Sequence, residues 1–152
     1  MRALILGGAG NLTLRDVASP EAGPGEAVVE VRVAGICRTD LELARGYMAF
    51  EGILGHEFVG TVTQVNSPAD EVLPGSRVVG EINIGCNECS RCTRGLARHC
   101  ASRRVLGIQG QDGAFCERLA LPAANLHAVP EMLADEEAVF IEPLAASCRI
   151  LD

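Results

Sequence analysis

Four closely spaced cysteines place the strongest constraint on how this chain can fold. Cys86, Cys89 and Cys92 are separated from one another by two residues and Cys100 follows after seven more, which gives the pattern C-x2-C-x2-C-x7-C. Thiolates two residues apart on a turn can reach one small cation, and four sulfur donors suit a closed tetrahedral zinc site of the structural type. The pattern therefore predicts a zinc-binding loop at about 84–104 with no coordination position left open for chemistry.

The same residues leave two alternatives to this structural zinc site. An iron–sulfur cluster is chemically possible, but the ferredoxin pattern has a shorter last spacing and a proline after the last cysteine, where this chain has Ala101. Four reduced thiols without a metal are disfavoured because several of them would lack apolar cover. His99 stands beside Cys100 and could replace a cysteine as ligand, but we expect it only to flank the site.

Composition limits the classes of protein to which the chain can belong. Its 152 residues suffice for one domain, and the core must be mainly aliphatic because aromatic residues are only 3%. A net charge of -7 argues against binding to nucleic acid or to an anionic membrane. Because no apolar run is long enough for a signal peptide or a membrane span, we expect a cytoplasmic protein, in which seven cysteines indicate metal binding rather than disulfides.

Apolar segments with strand-like alternation recur along the chain, separated by glycine and proline. Strands are predicted at 2–6, 12–16, 27–34, 58–65, 77–80 and 115–121, with a short helix at 41–45. This spacing is typical of an all-β barrel or sandwich. The glycines at 7–10 follow a strand, as in a dinucleotide-binding loop, but another strand-like segment comes next and the third glycine is missing. We therefore predict a hairpin turn there.

The C-terminal residues depart from this β pattern. Asp135 can cap a short acidic turn, and Pro143 suits the first turn of a helix that carries Leu144, Cys148 and Leu151 on one face. We divide the chain accordingly into a domain at 1–142 and the start of a helix at 143–152. An apolar helix face normally has a partner that buries it, so we expect either a further domain or self-association at this point.

Two further segments carry metal-binding side chains beside predicted strands. Cys37, Thr39 and Asp40 follow one strand, and His56 and Glu57 precede another. None of these residues is specific alone, because an isolated buried cysteine or histidine is more often part of the core than a metal ligand. Their interpretation depends on the motifs around them.

The order of these motifs resembles the zinc-dependent medium-chain alcohol and polyol dehydrogenases over nearly the whole chain. Gly-Ile-Cys-x-Thr-Asp, Gly-His-Glu-Phe-x-Gly, the cysteine loop and Glu-Pro-Leu follow one another as in that family. The resemblance implies a mainly β, GroES-like barrel domain in which Cys37 and His56 bind a catalytic zinc and Glu57 can enter or leave its coordination shell. One thiolate, one imidazole and one carboxylate leave room for water or substrate, as a catalytic zinc requires.

The resemblance also assigns roles to residues around this zinc. Glu142 stands where polyol and sugar dehydrogenases have a glutamate ligand. The alternative is that its carboxylate only stabilises the start of a helix through the helix dipole. Thr39 corresponds to the residue that receives the alcohol proton, and Asp40 either orients the histidine or caps the helix. Arg38 and Thr39 would border the cofactor, with a solvated surface arginine as the alternative for Arg38. Glu42 stands where many members have a relay histidine, so the sequence does not define the route by which the proton reaches solvent.

By this resemblance the intact enzyme oxidises an alcohol, polyol or sugar with NAD or NADP and holds two zinc ions per chain. Family members continue into a Rossmann domain with G-x-G-x-x-G, a motif that this sequence does not contain, so we expect the chain alone to be inactive. The alternatives are a stand-alone zinc-binding module that recognises a small molecule or protein, and a zinc hydrolase with Glu57 as base. A purely structural zinc protein would need only the four cysteines. The additional ligands Cys37, His56 and Glu142 therefore favour the dehydrogenase over the stand-alone module.

Overall fold

The structure is a computed structural model and describes residues 1–66 and 73–151. Within these residues the chain forms eleven strands and three α-helices. The strands are β1 (Arg2–Gly7), β2 (Asn11–Asp16), β3 (Glu26–Gly35), β4 (Gly52–Ile53), β5 (Glu57–Asn66), β6 (Arg77–Gly80), β7 (Asn83–Ile84), β8 (Arg104–Leu106), β9 (Gly110–Gln111), β10 (Arg118–Pro122) and β11 (Leu126–Ala128). The helices are α1 (Arg38–Ala44), α2 (Asp135–Ala138) and α3 (Ile141–Cys148). The fold is mainly β with few short helices, which confirms the predicted class.

An antiparallel sheet of five strands, in the order β10-β3-β5-β6-β11, forms the centre of the domain. Successive side chains of a strand point to opposite faces, so alternate residues of β3 and β5 share the inner face. The buried residues of this face are aliphatic apart from one phenylalanine: Ala27, Val29, Phe58, Val62, Val78, Leu119 and Leu121. The core is therefore aliphatic, as the composition predicts.

Strands β1 and β2 form the predicted hairpin, and β1 also pairs with β4 to complete a second sheet. The connection at Gly8–Gly10 is a single 3₁₀ turn, and Gly10 has a φ of +75° at a point where a Cβ would collide with the carbonyl oxygen of Ala44. Strand β2 begins directly after this turn. The interpretation of these glycines as a hairpin turn, and not as a dinucleotide-binding loop, is confirmed.

The predicted strand at 115–121 is wrong at its first residues. The carbonyl oxygen of Phe115 accepts a hydrogen bond from Leu4, and the N–H of Glu117 donates one to Arg2, so this part pairs with β1. From Arg118 onward the chain pairs with β3 instead. The chain changes sheets inside one apolar run, and alternation cannot show this because it reports burial and not the pairing partner. The sequence also does not predict β4, β7, β8, β9 and β11, because two or three residues carry no recognisable period.

Helix α1 begins three residues before the predicted boundary. Cys37 is its N-cap, and the side chain of Asp40 accepts the N–H of Cys37 at 2.8 Å, which makes Asp40 the third helical residue and not the cap. This arrangement is one half of a capping box, in which the third residue binds the N–H of the cap. The sequence pattern misses this boundary because cysteine is an unusual capping residue.

The expected cap at Asp135 is also wrong. The N-cap of α2 is Ala134, whose N–H donates to the carboxylate of Glu137 at 3.0 Å. The carboxylate of Asp135 instead receives Arg32 at 2.6 Å and Arg77 at 3.1 Å, so it ties the start of α2 to the central sheet. Two basic partners from neighbouring strands compete more strongly for this carboxylate than the helix end does.

Helix α3 carries Pro143 in its first turn, as predicted. Leu144 is 63% exposed and Cys148 is exposed, so the predicted apolar face is open to solvent; the side chain of Leu151 lies outside the described residues. Ile141 at the start of the helix packs beside Val59 and Val79 of the sheet. Among the described helices, none combines the length and the apolar character that a membrane span needs.

Candidate metal centres and active site

The four cysteines predicted to bind zinc lie together in the loop between β7 and β8. Their ligand atoms are all within 4.8 Å of one another. The Sγ–Sγ distances are 3.6 Å for Cys89–Cys92, 3.9 Å for Cys89–Cys100 and 4.0 Å for Cys86–Cys92, and none of these cysteines forms a disulfide. Sulfurs at about 2.3 Å from one tetrahedral zinc would stand about 3.8 Å apart. These three distances match a single tetrahedral ion, and the 4.8 Å limit keeps the remaining pairs close to that geometry.

Tight turns shape this cysteine loop. Two 3₁₀ turns, Cys92–Arg94 and Ala97–His99, fold the segment back so that Cys100 returns to the first three cysteines. Gly85 leaves space for one of the sulfurs, because a Cβ at this position would stand 2.8 Å from Sγ of Cys92. The side chain of His99 is exposed and is not part of the group, in agreement with the expectation that it only flanks the site.

Backbone groups of the loop favour the thiolate form of two cysteines. Hydrogen bonds from the backbone and then the side chain of Cys92 lower the pKa of Cys89 to about 6, and the backbone of Cys86 lowers the pKa of Cys100. Partial burial raises the pKa of Cys92 to about 11. The surroundings of the loop thus favour thiolates at Cys89 and Cys100. Because metals bind thiolates and not thiols, this arrangement favours metal uptake.

Cys37, His56 and Glu57 form a second group that could hold a metal ion. One ligand atom from each of the three lies within 4.8 Å of the other two. Cys37 follows the end of β3, and the pairing of β3 with β5 places Gly35 directly opposite Glu57. His56 and Glu57 are buried, whereas Cys37 is half-buried. The sheet thus unites two segments that are distant in the sequence.

Asp40 connects this second group to the start of α1. Besides accepting the N–H of Cys37, the buried carboxylate accepts the N–H of Gly55 at 3.2 Å, and its Oδ1 lies 3.3 Å from Nδ1 of His56. Asp40 therefore lies beside the histidine, as expected for an orienting carboxylate, and binds the start of the helix as its third residue instead of as the expected N-cap. One carboxylate holds the backbone on both sides of the group.

The environment of His56 favours a positive charge. Burial opposes protonation of the imidazole, but Asp40 and then Cys37 outweigh it and raise the pKa of His56 to about 9. The contact between Nδ1 and Asp40 does not have hydrogen-bond geometry, and this buried nitrogen has no other partner among the described atoms. A cation is therefore electrostatically favoured here, and sulfur, nitrogen and oxygen donors together suit zinc.

Two other predicted residues of this site, Arg38 and Thr39, lie in the first turn of α1. Oγ1 of Thr39 lies 3.7 Å from Sγ of Cys37, so the residue predicted to receive the alcohol proton borders the second group. The guanidinium of Arg38 binds Glu42 at 2.7 Å, and Arg45 binds the same carboxylate oxygen at 3.0 Å. The side chain of Arg38 is 75% exposed, so it faces solvent.

Glu142 lies near the second group but does not join it. Burial raises the pKa of Glu142, the charge of His56 lowers it, and Glu57 and Glu81 raise it again. The carboxylate therefore lies within electrostatic reach of two of the three potential ligands, although its oxygens are outside the 4.8 Å cluster. Its role as a zinc ligand stays a prediction.

A cavity of about 480 Å³ adjoins Glu142, between the end of β6, the cysteine loop and α3. Its polar walls include Glu81, Asn83, Arg98 and Glu142. A volume of this size accommodates a small molecule. The sequence analysis does not single out Glu81 or Arg98, because no motif or spacing distinguishes them from other charged residues of the surface.

Comparison with known proteins agrees with this fold. Residues 23–131 match the family described as the alcohol dehydrogenase GroES-like domain. The chain belongs to this family. The resemblance recognised in the sequence motifs is thereby confirmed, together with the GroES-like fold.

The curated relatives of this GroES-like domain are longer proteins. The chain is 41% identical over 137 residues to an L-threonine 3-dehydrogenase of Streptomyces avermitilis, a match that covers 85% of this chain and 40% of the relative. It is 34% identical over 139 residues to the starvation-sensing protein RspB of Escherichia coli K12, covering 90% of this chain and again 40% of the relative. The chain thus spans less than half the length of these relatives.

Solved structures show the same relation. An alcohol dehydrogenase (rspB) of E. coli CFT073, complexed with NADH, superposes with a TM-score of 0.90 at 32% identity and covers 97% of this chain and 44% of that chain. A protein of Sinorhizobium meliloti 1021 described as a zinc-binding dehydrogenase, bound to NADP, has a TM-score of 0.88 at 35% identity, covering 99% and 44%. Galactitol-1-phosphate dehydrogenase of E. coli has a TM-score of 0.85 at 28% identity, covering 95% and 42%.

Proposed function

We propose that this GroES-like domain is the metal-binding catalytic part of a zinc-dependent dehydrogenase that oxidises an alcohol with a nicotinamide cofactor. It holds two zinc ions, one in the four-cysteine loop and one at Cys37, His56 and Glu57. The observation that carries the proposal is the second group, because three donors of different kinds leave a coordination position for substrate. A protein that used zinc only for stability would need the first group alone.

Each residue near the open site has a role that its position supports. Cys37, His56 and Glu57 hold the metal, which lowers the pKa of a bound alcohol. Asp40 orients the imidazole of His56 through the contact at Nδ1. Thr39 accepts the hydroxyl proton of the substrate, since its own hydroxyl stands beside the sulfur of Cys37.

The proton then leaves by a route that does not use Glu42. This carboxylate binds Arg38 and Arg45, both through one oxygen, so two ion pairs already engage it. We propose that the proton passes from Thr39 directly to solvent.

We propose a polyol, a sugar or a related hydroxylated metabolite as substrate. The cavity beside Glu142 has carboxylate, amide and guanidinium groups on its walls, which suit a ligand with several hydrogen-bonding groups. Relatives named for threonine and galactitol-1-phosphate point to the same polar class. A simple aliphatic alcohol offers only one hydroxyl to these several wall groups.

We propose that a cofactor-binding domain, covalently linked or supplied by another chain, holds NAD or NADP against this site. Relatives of more than twice the matched length, two of them with NADH or NADP bound, support the proposal. The exposed apolar face of α3 would contact that domain or a second copy of this chain. A cytoplasmic location stays a prediction.

The test begins with the metal content of the chain purified without chelators. We expect two zinc ions per chain, and one after Cys37→Ala. The chain loaded with Co²⁺ should then change its visible spectrum when a polyol is added, while ethanol should have a weaker effect. A stoichiometry of one that Cys37→Ala leaves unchanged would remove the catalytic site and favour a stand-alone zinc-binding module.

A further inference from the structure

Gly35 touches the second metal-binding group, although no role is assigned to it. It is the last residue of β3 and pairs with Glu57, the first residue of β5. A Cβ built on Gly35 would overlap with Oε2 of Glu57 and stand 3.1 Å from its Cβ and 3.5 Å from its Cδ. The carboxylate of Glu57 thus occupies the space that any other residue at this position would fill with its own side chain.

The backbone at Gly35 does not itself require glycine. The chain has nine glycines with positive φ among its described residues, and Gly35 is not one of them. An alanine could adopt the extended conformation of this strand end without strain. The reason for a glycine is therefore the space above its Cα.

We propose that Gly35 positions the carboxylate of Glu57 relative to the open metal site. Glu57 is buried, so its side chain has few alternative places to go. A methyl group at position 35 would displace the carboxylate oxygens from their present distance to the ligand atoms of Cys37 and His56. Gly35 is thus a positioning residue that acts through Glu57, and this inference rests on the proposed function of the group.

The experiment compares four full-length variants loaded with Co²⁺: Gly35→Ala, Gly7→Ala, Glu57→Ala and the double variant Gly35→Ala/Glu57→Ala. Gly7 is the matched control, because it also has an extended φ of -102° at a strand end and a Cβ there would meet only an ordinary contact at 3.7 Å. Visible absorption of the open site, identified as the part lost in Cys37→Ser, and Co²⁺ affinity are measured.

We expect Gly35→Ala to change the open-site spectrum and its Co²⁺ affinity by about tenfold, which is the size of effect typical for residues that orient a ligand. Gly7→Ala should leave both unchanged. In the Glu57→Ala background, adding Gly35→Ala should have a much smaller effect, since the overlapping carboxylate is gone and only the 3.1 Å contact with the Cβ of residue 57 remains. If Gly35→Ala alone fails to fold, recovery of folding in the double variant supports the proposal.

Two results would overturn the positioning role. One is a folded Gly35→Ala protein whose open site is identical to that of the unaltered chain. The other is an effect, on metal binding or on folding, that persists undiminished in the Glu57→Ala background, because Gly35 would then act through the backbone. A Cys37→Ser variant that keeps the full Co²⁺ stoichiometry would instead contradict the proposed metal site itself, so the two failures are distinguishable.

Discussion

The two metal-binding groups of this domain are assembled in opposite ways. The four cysteines come from a single loop between β7 and β8, and short turns suffice to bring their sulfurs together. Cys37 and the His56–Glu57 pair come from separate segments and meet only because β3 pairs with β5. The first group consists of one donor type, with three half-buried cysteines and the buried Cys100. The second contains His56 and Glu57, which are 4% and 7% exposed, beside the half-buried Cys37.

This difference indicates that the metal helps to shape the fold at the first group, whereas the fold shapes the second group before any metal binds. A local loop needs its metal in order to take one shape, so the metal contributes to folding. A group built on a sheet is shaped by the sheet, so it can remain open and exchange its ligands. The following predictions test this contrast, beginning with the largest effect.

The largest effect should follow from removing a cysteine of the loop. We expect Cys89→Ser or Cys100→Ala to destabilise the zinc-loaded protein by roughly 3 kcal/mol, or about 10 °C in Tm, because a closed structural zinc is lost. Cys37→Ala should cost much less in a thermal melt. If Cys37→Ala has the larger effect, the assignment of structural and catalytic roles is reversed.

The second prediction concerns pH and the charge of His56. With the exchangeable metal removed and the cysteine loop still loaded, the raised pKa of about 9 stabilises the folded state. This contribution is fully present below the unfolded pKa of about 6.5 and is lost as the pH rises through 9, with an upper limit of about 3 kcal/mol. Denaturant titrations between these pH values measure it.

Asp40→Asn serves as the control for this pH dependence, because the amide removes the charge that raises the pKa of His56. We expect a flatter stability profile over the same pH range. An unchanged profile in the variant would mean that another group titrates.

The third prediction uses the same substitution to separate orientation from helix capping. Asp40→Asn keeps an oxygen that can accept the N–H of Cys37, so α1 should survive while the zinc affinity of the open site falls about tenfold. Asp40→Ala removes both functions and should cost about 1 kcal/mol more in stability. Competition with a chelator measures the affinity, and the four-cysteine site should be unaffected by either change.

The smallest effect is predicted for His99→Ala. The side chain is exposed and lies outside the cysteine group. The zinc content should therefore be unchanged, and the free energy of unfolding should stay within about 0.5 kcal/mol of that of the unaltered chain. Loss of one zinc in this variant, with retention in Cys100→Ala, would show that the histidine replaces the cysteine as ligand.

Much of the fold is predictable from the chain because its signals are local. The alternation in β3, β5 and β6 and the glycine turn after β1 predict elements that the structure contains. The strand at 115–121 is predicted only in part because its early residues bind β1 and its later ones bind β3. The cap at Asp135 is mispredicted since Arg32 and Arg77 come from distant parts of the chain.

The spacing of the four cysteines was enough to determine their site, because only turns within one loop separate them. The second group forms only when β3 pairs with β5 in the sheet. A bulge between Val31 and Val33 shifts the pairing so that Gly35 stands opposite Glu57, and no local pattern reveals such a shift. The tertiary structure alone decides that Glu57 fills the space above Gly35 and that Glu142 stays outside the group, because both depend on the packing of segments that are far apart in the sequence.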